Sequence, residues 1–319
     1  MAITLRKLSP ALGYEVRGLD LTSDVSAEDH ADILRAWVDA GVLLFRGGRS
    51  EAVHMRLSQL FGELQPSALA DLNQADNPYL MSLKYEPSTE SARKKGCHIV
   101  DGVERAGFLG WHWDQSFMPV IVRGAVLRML EPSQVAGETG FIDAIAAYER
   151  LSPAMKQRIE ALEVVYEFNG AQERNRFGFP DVQLPPGRDI RGTPSDPDRY
   201  KFPASVHPLV ITQAETGRKI LKLSPMHASY ILGMDRVESE DLLHELADHL
   251  VDDRFAYYHR WEKDDMVVWD NWRVIHSAKG VPLDCTRRAM RTTILGDYDR
   301  GRYLDPSLDR TVMYGRFDD

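Results

Sequence analysis

The spacing of apolar residues along the chain predicts four helices. The first is predicted to begin after Ser26, a residue type that caps helix N-termini, and to end at Gly41, which suits the left-handed conformation found there. A second is predicted over 50–62, and a third directly after Ser152, where a proline occupies the favoured first helical position. A fourth is predicted from about 239 to 250, where leucines recur at helical spacing.

Short runs of β-branched and other apolar residues predict strands between these helices. The runs lie at 42–45, 124–129, 164–168, 219–223, 266–269 and 291–295. Because they do not alternate regularly with helices, the pattern favours a β-rich α+β core with helices packed outside it over a doubly wound sheet.

Two long segments show no regular pattern. Residues 73–110 are polar and rich in turn formers, and residues 169–203 contain six prolines. Loops of this length inside a compact domain are usually functional or disordered. Because strand-like sequence resumes after each segment, we expect one domain over residues 1–319 with two large loop insertions that could serve as active-site lids.

Composition excludes several classes of protein. The 319 residues carry a net charge of -9, whereas nucleic-acid binders usually present a basic face. No apolar run approaches the roughly 18 residues of a membrane-spanning helix, and the first residues lack the apolar core of a signal peptide. Two cysteines cannot form a disulfide framework. We therefore expect a cytoplasmic protein that binds neither nucleic acid nor membranes.

A Trp-His-Trp-Asp sequence at 111–114 is the first candidate site. On a strand His112 and Asp114 would share one face, and an imidazole and a carboxylate are suitable ligands for a divalent transition metal. His276, which closes an apolar-to-polar run, is the best candidate for a third ligand. The motif alone would also fit an ordinary histidine at the surface or the edge of the core. Four other histidines lie on predicted helices, where we expect solvated positions: His30, His54, His244 and His249.

A second candidate site lies near the C-terminus. On a strand Arg287 and Arg291 would share one face about 13 Å apart, which suits two anion sites or two carboxylates. Two arginines of an edge strand in ordinary salt bridges would show the same pattern.

Taken together, these motifs resemble the TauD/TfdA family of Fe(II)- and 2-oxoglutarate-dependent dioxygenases. Trp-His-x-Asp at 111–114 is followed by Gly-Glu-Thr ending at Thr139, then by the Asp-Asn pair that leads to His276, and then by Arg287 eleven residues later. The order and the separations are those of the family, and the match covers nearly the whole chain.

The resemblance implies a double-stranded β-helix, or jelly roll, with flanking helices. It implies that His112, Asp114 and His276 hold Fe(II), and that Thr139 and Arg287 hold the distal carboxylate of 2-oxoglutarate. With O2 as co-reactant, such an enzyme hydroxylates its substrate, with cleavage of a carbon–heteroatom bond in some cases, and forms succinate and CO2.

The resemblance also bears on the substrate, which we expect to be a small carboxylate or sulfonate with an apolar part. Arg291 matches the position that holds the substrate's anionic group in sulfonate- and phenoxyacetate-oxidising members. Phe108, four residues before the first ligand, stands where taurine oxidisers carry an amide, so we expect a larger and more apolar substrate than taurine. His98 is a further candidate for a substrate contact. The oligomeric state stays open, and a homo-oligomer is compatible with the sequence.

Other functions share part of this pattern. A 2-oxoglutarate-dependent desaturase or epimerase would share all of it. A non-catalytic jelly-roll binding protein would have no physical reason to keep all five implied cofactor residues, and a zinc hydrolase would need neither Thr139 nor Arg287.

Overall fold

The computed structural model describes residues 3–69, 72–87, 96–188 and 201–314. The helices are α1 (Ala27–Ala40), α2 (Glu51–Gln59), α3 (Ala144–Arg150), α4 (Pro153–Ile159) and α5 (Arg236–Leu250), with short 3-10 turns at Gln172–Arg174 and Asp253–Phe255. The strands are β1 (Thr4–Lys7), β2 (Tyr14–Arg17), β3 (Val42–Phe45), β4 (Leu64–Gln65), β5 (Leu80–Tyr85), β6 (Cys97–Val100), β7 (Val103–His112), β8 (Gly124–Glu131), β9 (Thr139–Asp143), β10 (Glu163–Tyr166), β11 (Val182–Gln183), β12 (Ser205–Pro208), β13 (Val210–Thr212), β14 (Lys219–Leu221), β15 (Ala228–Ile231), β16 (Tyr257–His259), β17 (Met266–Asp270), β18 (Val274–Val281), β19 (Arg287–Ile294) and β20 (Arg302–Tyr303).

Two large sheets carry the candidate residues. The first has the order β1-β2-β3-β17-β8-β19-β4, with β5 also paired to β19. The second has the order β11-β6-β7-β18-β9-β16. Smaller sheets of four strands (β15-β10-β12-β20) and of two (β13-β14) lie beside them. The β-rich α+β class expected from the sequence is confirmed.

Helix ends follow the capping chemistry of the sequence. The Ser26 side chain accepts a hydrogen bond from the Asp29 amide at the start of α1, and Gly41 ends that helix with φ at 73°. Helix α5 begins earlier than expected, because the Asp235 carboxylate caps it by accepting from the amides of Val237 and Glu238. The expected start near residue 239 was therefore wrong.

The expectation that 73–110 lacks regular structure was also wrong. Strands β5, β6 and β7 lie there, and β7 pairs with β18 in the second sheet. The first half of β7 is largely exposed, and its only run of consecutive buried residues is the last three. The sequence of β7 therefore shows no simple alternation of apolar and polar residues that would predict a strand. The segment 169–203 is closer to expectation, with one 3-10 turn and the two-residue strand β11 among its described residues; 189–200 lie outside them.

The main hydrophobic cluster packs α5 against the sheets. Leu242, Leu243, Leu246 and Leu250 are buried together with residues of β9, β10 and β14, and each fully buried leucine stabilises the fold by about 2 kcal/mol. A second cluster covers β3 and β17 with α1. His54 on α2 is fully buried and bonds the Val126 carbonyl, so its expected solvated position was wrong. No helix of the described residues combines the length and apolarity needed to cross a membrane.

Candidate active site

Two neighbouring strands bring the three candidate metal ligands together. His112 ends β7, His276 lies opposite it on β18, and Asp114 follows two residues after His112 in the turn. The Oδ1 atom of Asp114 lies 3.7 Å from Nε2 of His112 and 3.6 Å from Nε2 of His276. One ligand atom from each residue lies within 4.8 Å of the others, and all three residues are buried. This donor set fits a divalent transition metal such as Fe(II) with coordination positions left open.

The neighbours of His112 orient it as a ligand. Its Nδ1 lies 2.7 Å from the carbonyl oxygen of Gly110. Because a carbonyl can only accept, Nδ1 donates there, and Nε2, on the side of Asp114 and His276, is the atom left to bind a metal. For His276, burial first and the neighbouring His112 second hold the pKa well below its usual value. The imidazole of His276 is therefore neutral, the form that binds a metal.

Arg291 fixes the carboxylate. Its Nη2 donates to Oδ2 of Asp114 at 2.5 Å, which leaves Oδ1 facing the two imidazoles. Burial would raise the pKa of Asp114, but the charge of Arg291, with smaller contributions from the two histidines, holds that pKa well below 3.8. The carboxylate is therefore ionised across the neutral range.

Arg287 and Thr139 line the same cavity of about 250 Å³ as His112, His276 and Arg291. Burial lowers the pKa of Arg287 to about 10, and within the described ranges its guanidinium has no ion-pair or hydrogen-bond partner. Thr139 is buried and its Oγ1 accepts from Nε1 of Trp261 at 3.0 Å, so its hydroxyl proton can still be donated. An unpaired guanidinium beside a free hydroxyl donor is suited to receive a carboxylate.

The alternative that Arg287 and Arg291 are an ordinary salt-bridged pair on an edge strand was wrong, because their strand is not at an edge and both side chains line one cavity. Strand β19 is paired on both sides, with β8 on one side and with β4 and β5 on the other. The register of β19 against β8 shifts between Arg288 and Ala289, at a point between the two arginines. Two anionic groups could therefore be bound within the same cavity.

Two expected substrate contacts lie elsewhere. Phe108 lines a second, larger cavity of about 970 Å³, which shares Ser277 and Ala278 with the lining of the triad's cavity, and Phe108 is not among the residues that line the latter. His98 is buried, and its Nε2 lies 2.8 Å from Nη1 of Arg188; it lines neither cavity. Phe108 and His98 therefore do not line the cavity of the triad, and their contact with a substrate stays a prediction.

Sequence reasoning missed two residues that support the site. Trp261 bonds Thr139 from a loop, and the side chain of Asn271 bonds the backbone of Asp114. No local pattern marks either contact, although Asn271 belongs to the Asp-Asn pair that precedes His276.

Comparisons with known proteins give one consistent result. The model of the family described as "Taurine catabolism dioxygenase TauD, TfdA family" matches residues 4–293. The (S)-phenoxypropionate/alpha-ketoglutarate-dioxygenase of Sphingobium herbicidovorans is 30% identical over 302 residues, 93% of this chain and 96% of that protein. The alpha-ketoglutarate-dependent 2,4-dichlorophenoxyacetate dioxygenase of Cupriavidus pinatubonensis is 28% identical over 93% of this chain and 99% of its own. A taurine dioxygenase from Burkholderia xenovorans has the same fold, with a TM-score of 0.71 at 24% identity over 96% of this chain and 97% of its own.

Proposed function

Because the chain belongs to the TauD/TfdA family of Fe(II)- and 2-oxoglutarate-dependent dioxygenases, we propose that it hydroxylates a small, partly apolar organic acid, forming succinate and CO2. One observation carries the proposal. A buried His-Asp-His cluster shares its cavity with two arginines, one of them without a carboxylate partner among the described residues. The two large sheets are, in this proposal, the halves of a double-stranded β-helix.

In the proposed site His112, Asp114 and His276 hold the iron. Bound Fe(II), together with 2-oxoglutarate and O2, supplies the oxidising chemistry. The protein's own groups prepare the ligands: the Gly110 carbonyl accepts from Nδ1 of His112, and Arg291 keeps Asp114 ionised and leaves Oδ1, which faces the two imidazoles, as the oxygen that would bind the metal.

Arg287 and Thr139 are the proposed site for the distal carboxylate of 2-oxoglutarate. The guanidinium can make two parallel hydrogen bonds to a carboxylate, and the Thr139 hydroxyl can add a third. Leu109, Leu127 and Val281 line the same cavity. Their apolar side chains exclude water and so strengthen the ion pair.

Arg291 is the proposed contact for the anionic group of the substrate. Only its Nη2 is used by Asp114, while its Nε is buried without a hydrogen-bond partner among the described residues. The substrates named for two relatives, phenoxypropionate and dichlorophenoxyacetate, combine a carboxylate with an apolar ring. An aryloxyalkanoate is therefore the substrate class to test first.

The segment 169–203 is the proposed lid, and its described residues 169–188 give the evidence for it. The side-chain oxygen of Gln172 accepts from the amide of Gly110, and the ring of Phe179 lies where a Cβ at Gly110 would stand. The same Gly110 bonds His112 through its carbonyl. The described residues 169–188 thus contact the strand that presents the first proposed ligand on the side of the larger cavity, which Gly110 and Phe179 both line, and the proposed lid would close on that side.

Succinate formation with paired substrates tests the proposed function. We expect aryloxyalkanoic acids to stimulate succinate release, and the matching methyl esters, which lack the anion, to fail. In Arg291→Ala succinate formation without coupled oxidation should survive, while coupled oxidation weakens sharply. Metal affinity must be measured in the same variant, because the Arg291→Ala substitution also removes the hydrogen bond from Arg291 to the proposed ligand Asp114. Equal turnover of acids and esters, or an unchanged apparent substrate affinity in Arg291→Ala, would contradict the substrate assignment.

A further inference from the structure

Asp114, the proposed carboxylate ligand, lies in a turn outside the regular strands. Strand β7 ends at His112, so the sheet does not fix Asp114. The next residue, Gln115, has φ at 58°, in the left-handed region that residues other than glycine rarely adopt. A turn of this kind persists only when its surroundings hold it in place.

One buried side chain, that of Asn271, forms hydrogen bonds with both the amide and the carbonyl of Asp114. The Oδ1 of Asn271 accepts from the amide of Asp114 at 2.7 Å, and its Nδ2 donates to the carbonyl of Asp114 at 3.1 Å. The same Nδ2 donates to the carbonyl of Val122 at 3.1 Å. Asn271 is fully buried, so water does not compete for these three bonds.

We propose that Asn271 is a positioning residue of the metal centre, which fixes the direction of the Asp114 carboxylate before metal binds. This inference rests on the proposed metal site. Only an amide side chain offers both an acceptor and two donors at this reach. Aspartate would keep the acceptor and lose both donors, and alanine would lose all three bonds.

Asn271 lies between the turn that carries Asp114 and the strand that carries His276. Asn271 follows directly after β17 and precedes β18, the strand that carries His276. Its own carbonyl accepts from Nζ of the buried Lys222 at 2.9 Å. The same Nζ lies 4.1 Å from the ring centre of Trp113, the residue between the two ligands of the first motif. Asn271 thus bonds the turn of Asp114 to the connection that leads into the strand of His276.

The chain contains a matched control for this arrangement. The Oδ1 of Asn73 accepts from the amide of Ser67 at 3.2 Å, and its Nδ2 donates to the Ser67 carbonyl at 3.3 Å. This is the same two-sided contact on a loop that does not line the cavity of the triad. Asn73→Ala therefore removes a two-sided amide contact, longer and only half-buried, without touching a proposed ligand.

The experiment compares metal affinity with stability in metal-free protein. Anaerobic calorimetric titration with Co(II), whose visible bands also report ligand geometry, would be run at low temperature on wild type, Asn271→Ala, Asn271→Asp and Asn73→Ala. Thermal unfolding of each metal-free protein would be recorded in parallel. Loss of an outer-sphere partner of a metal ligand typically weakens metal binding about 10- to 100-fold. We expect that loss in Asn271→Ala, at least as large a loss in Asn271→Asp, whose carboxylate would face two carbonyl oxygens, and none in Asn73→Ala, with altered Co(II) bands only in the Asn271 variants.

The outcomes separate this inference from the proposed function. A cooperatively folded Asn271 variant that binds Co(II) within twofold of wild type, with unchanged bands, would overturn the positioning role. The isosteric Asn271→Asp keeps the test open if the alanine variant does not fold. Wild-type protein that binds no Co(II) would remove the proposed metal site, and the inference with it.

Discussion

Replacing Arg287 with methionine should weaken cosubstrate binding and at the same time stabilise the empty protein. Among the described residues nothing neutralises the Arg287 guanidinium, and burial lowers its pKa to about 10. A depression of this size corresponds to at most about 3.5 kcal/mol of cost to the folded state at neutral pH. Because the empty cavity leaves this side chain partly exposed, solvent reduces this cost to about 1 kcal/mol, whereas a bound cosubstrate would bury the guanidinium.

The carboxylate of 2-oxoglutarate would supply the missing partner. Removing one side of a buried, hydrogen-bonded charge pair costs about 2–5 kcal/mol, which is roughly 30-fold to several thousandfold in Kd. We therefore expect Arg287→Met to weaken binding by at least about 30-fold, while the melting temperature of the empty protein rises by about 2 °C.

The assay is anaerobic calorimetry of the Mn(II)-loaded protein with N-oxalylglycine, an unreactive analogue of 2-oxoglutarate, together with thermal unfolding. Arg288→Met is the matched control, because Arg288 is the next residue of β19, is exposed and pairs with Glu131 at 2.8 Å. The control should bind the analogue normally and lose at most about 1 kcal/mol of stability. Analogue binding by Arg287→Met within twofold of wild type would refute the reasoning.

Three further predictions follow from other contacts. Thr139→Val should weaken the analogue about 10- to 100-fold in the same calorimetry, since a hydrogen bond to a charged group is lost, whereas Thr139→Ser should retain affinity. Burial lowers the pKa of His54 from 6.5 to about 4, so the unfolded chain takes up its proton first and stability falls as pH drops from about 6.5 to 4. In urea unfolding, His54→Gln should reduce that slope by up to about 1.4 kcal/mol per pH unit, and an unchanged slope would contradict the assignment. Gly110→Ala would place a Cβ 1.8 Å from the ring of Phe179, so limited proteolysis should cut the 169–188 segment faster than in Gly96→Ala, whose Cβ meets nothing within 4 Å; equal rates would refute this contact.

The candidate ligands could be predicted from sequence because their chemistry is carried by residue type and order. An imidazole and a carboxylate two residues apart, a distant histidine and a following arginine are visible without coordinates. Their surroundings were not predictable. Asn271 bonds Asp114 across 157 residues of sequence, and the pairing of Arg291 with Asp114 depends on the register of β19 and on the turn after β7.

The fold was predictable where one face of an element is uniformly apolar. Strand β3 agrees with the predicted run residue for residue, and α1 has the predicted caps at both ends. Strand β7 was missed because its first half is mostly exposed. The position of Phe108, four residues before His112, does not by itself determine which cavity the side chain lines.

Anaerobic titration of metal-free protein with Fe(II) and then 2-oxoglutarate tests the central claim most directly. The account predicts a weak visible charge-transfer band that develops only when both are present, and that is absent in His112→Ala. Folded, iron-loaded wild-type protein that shows no band on addition of 2-oxoglutarate would contradict the account.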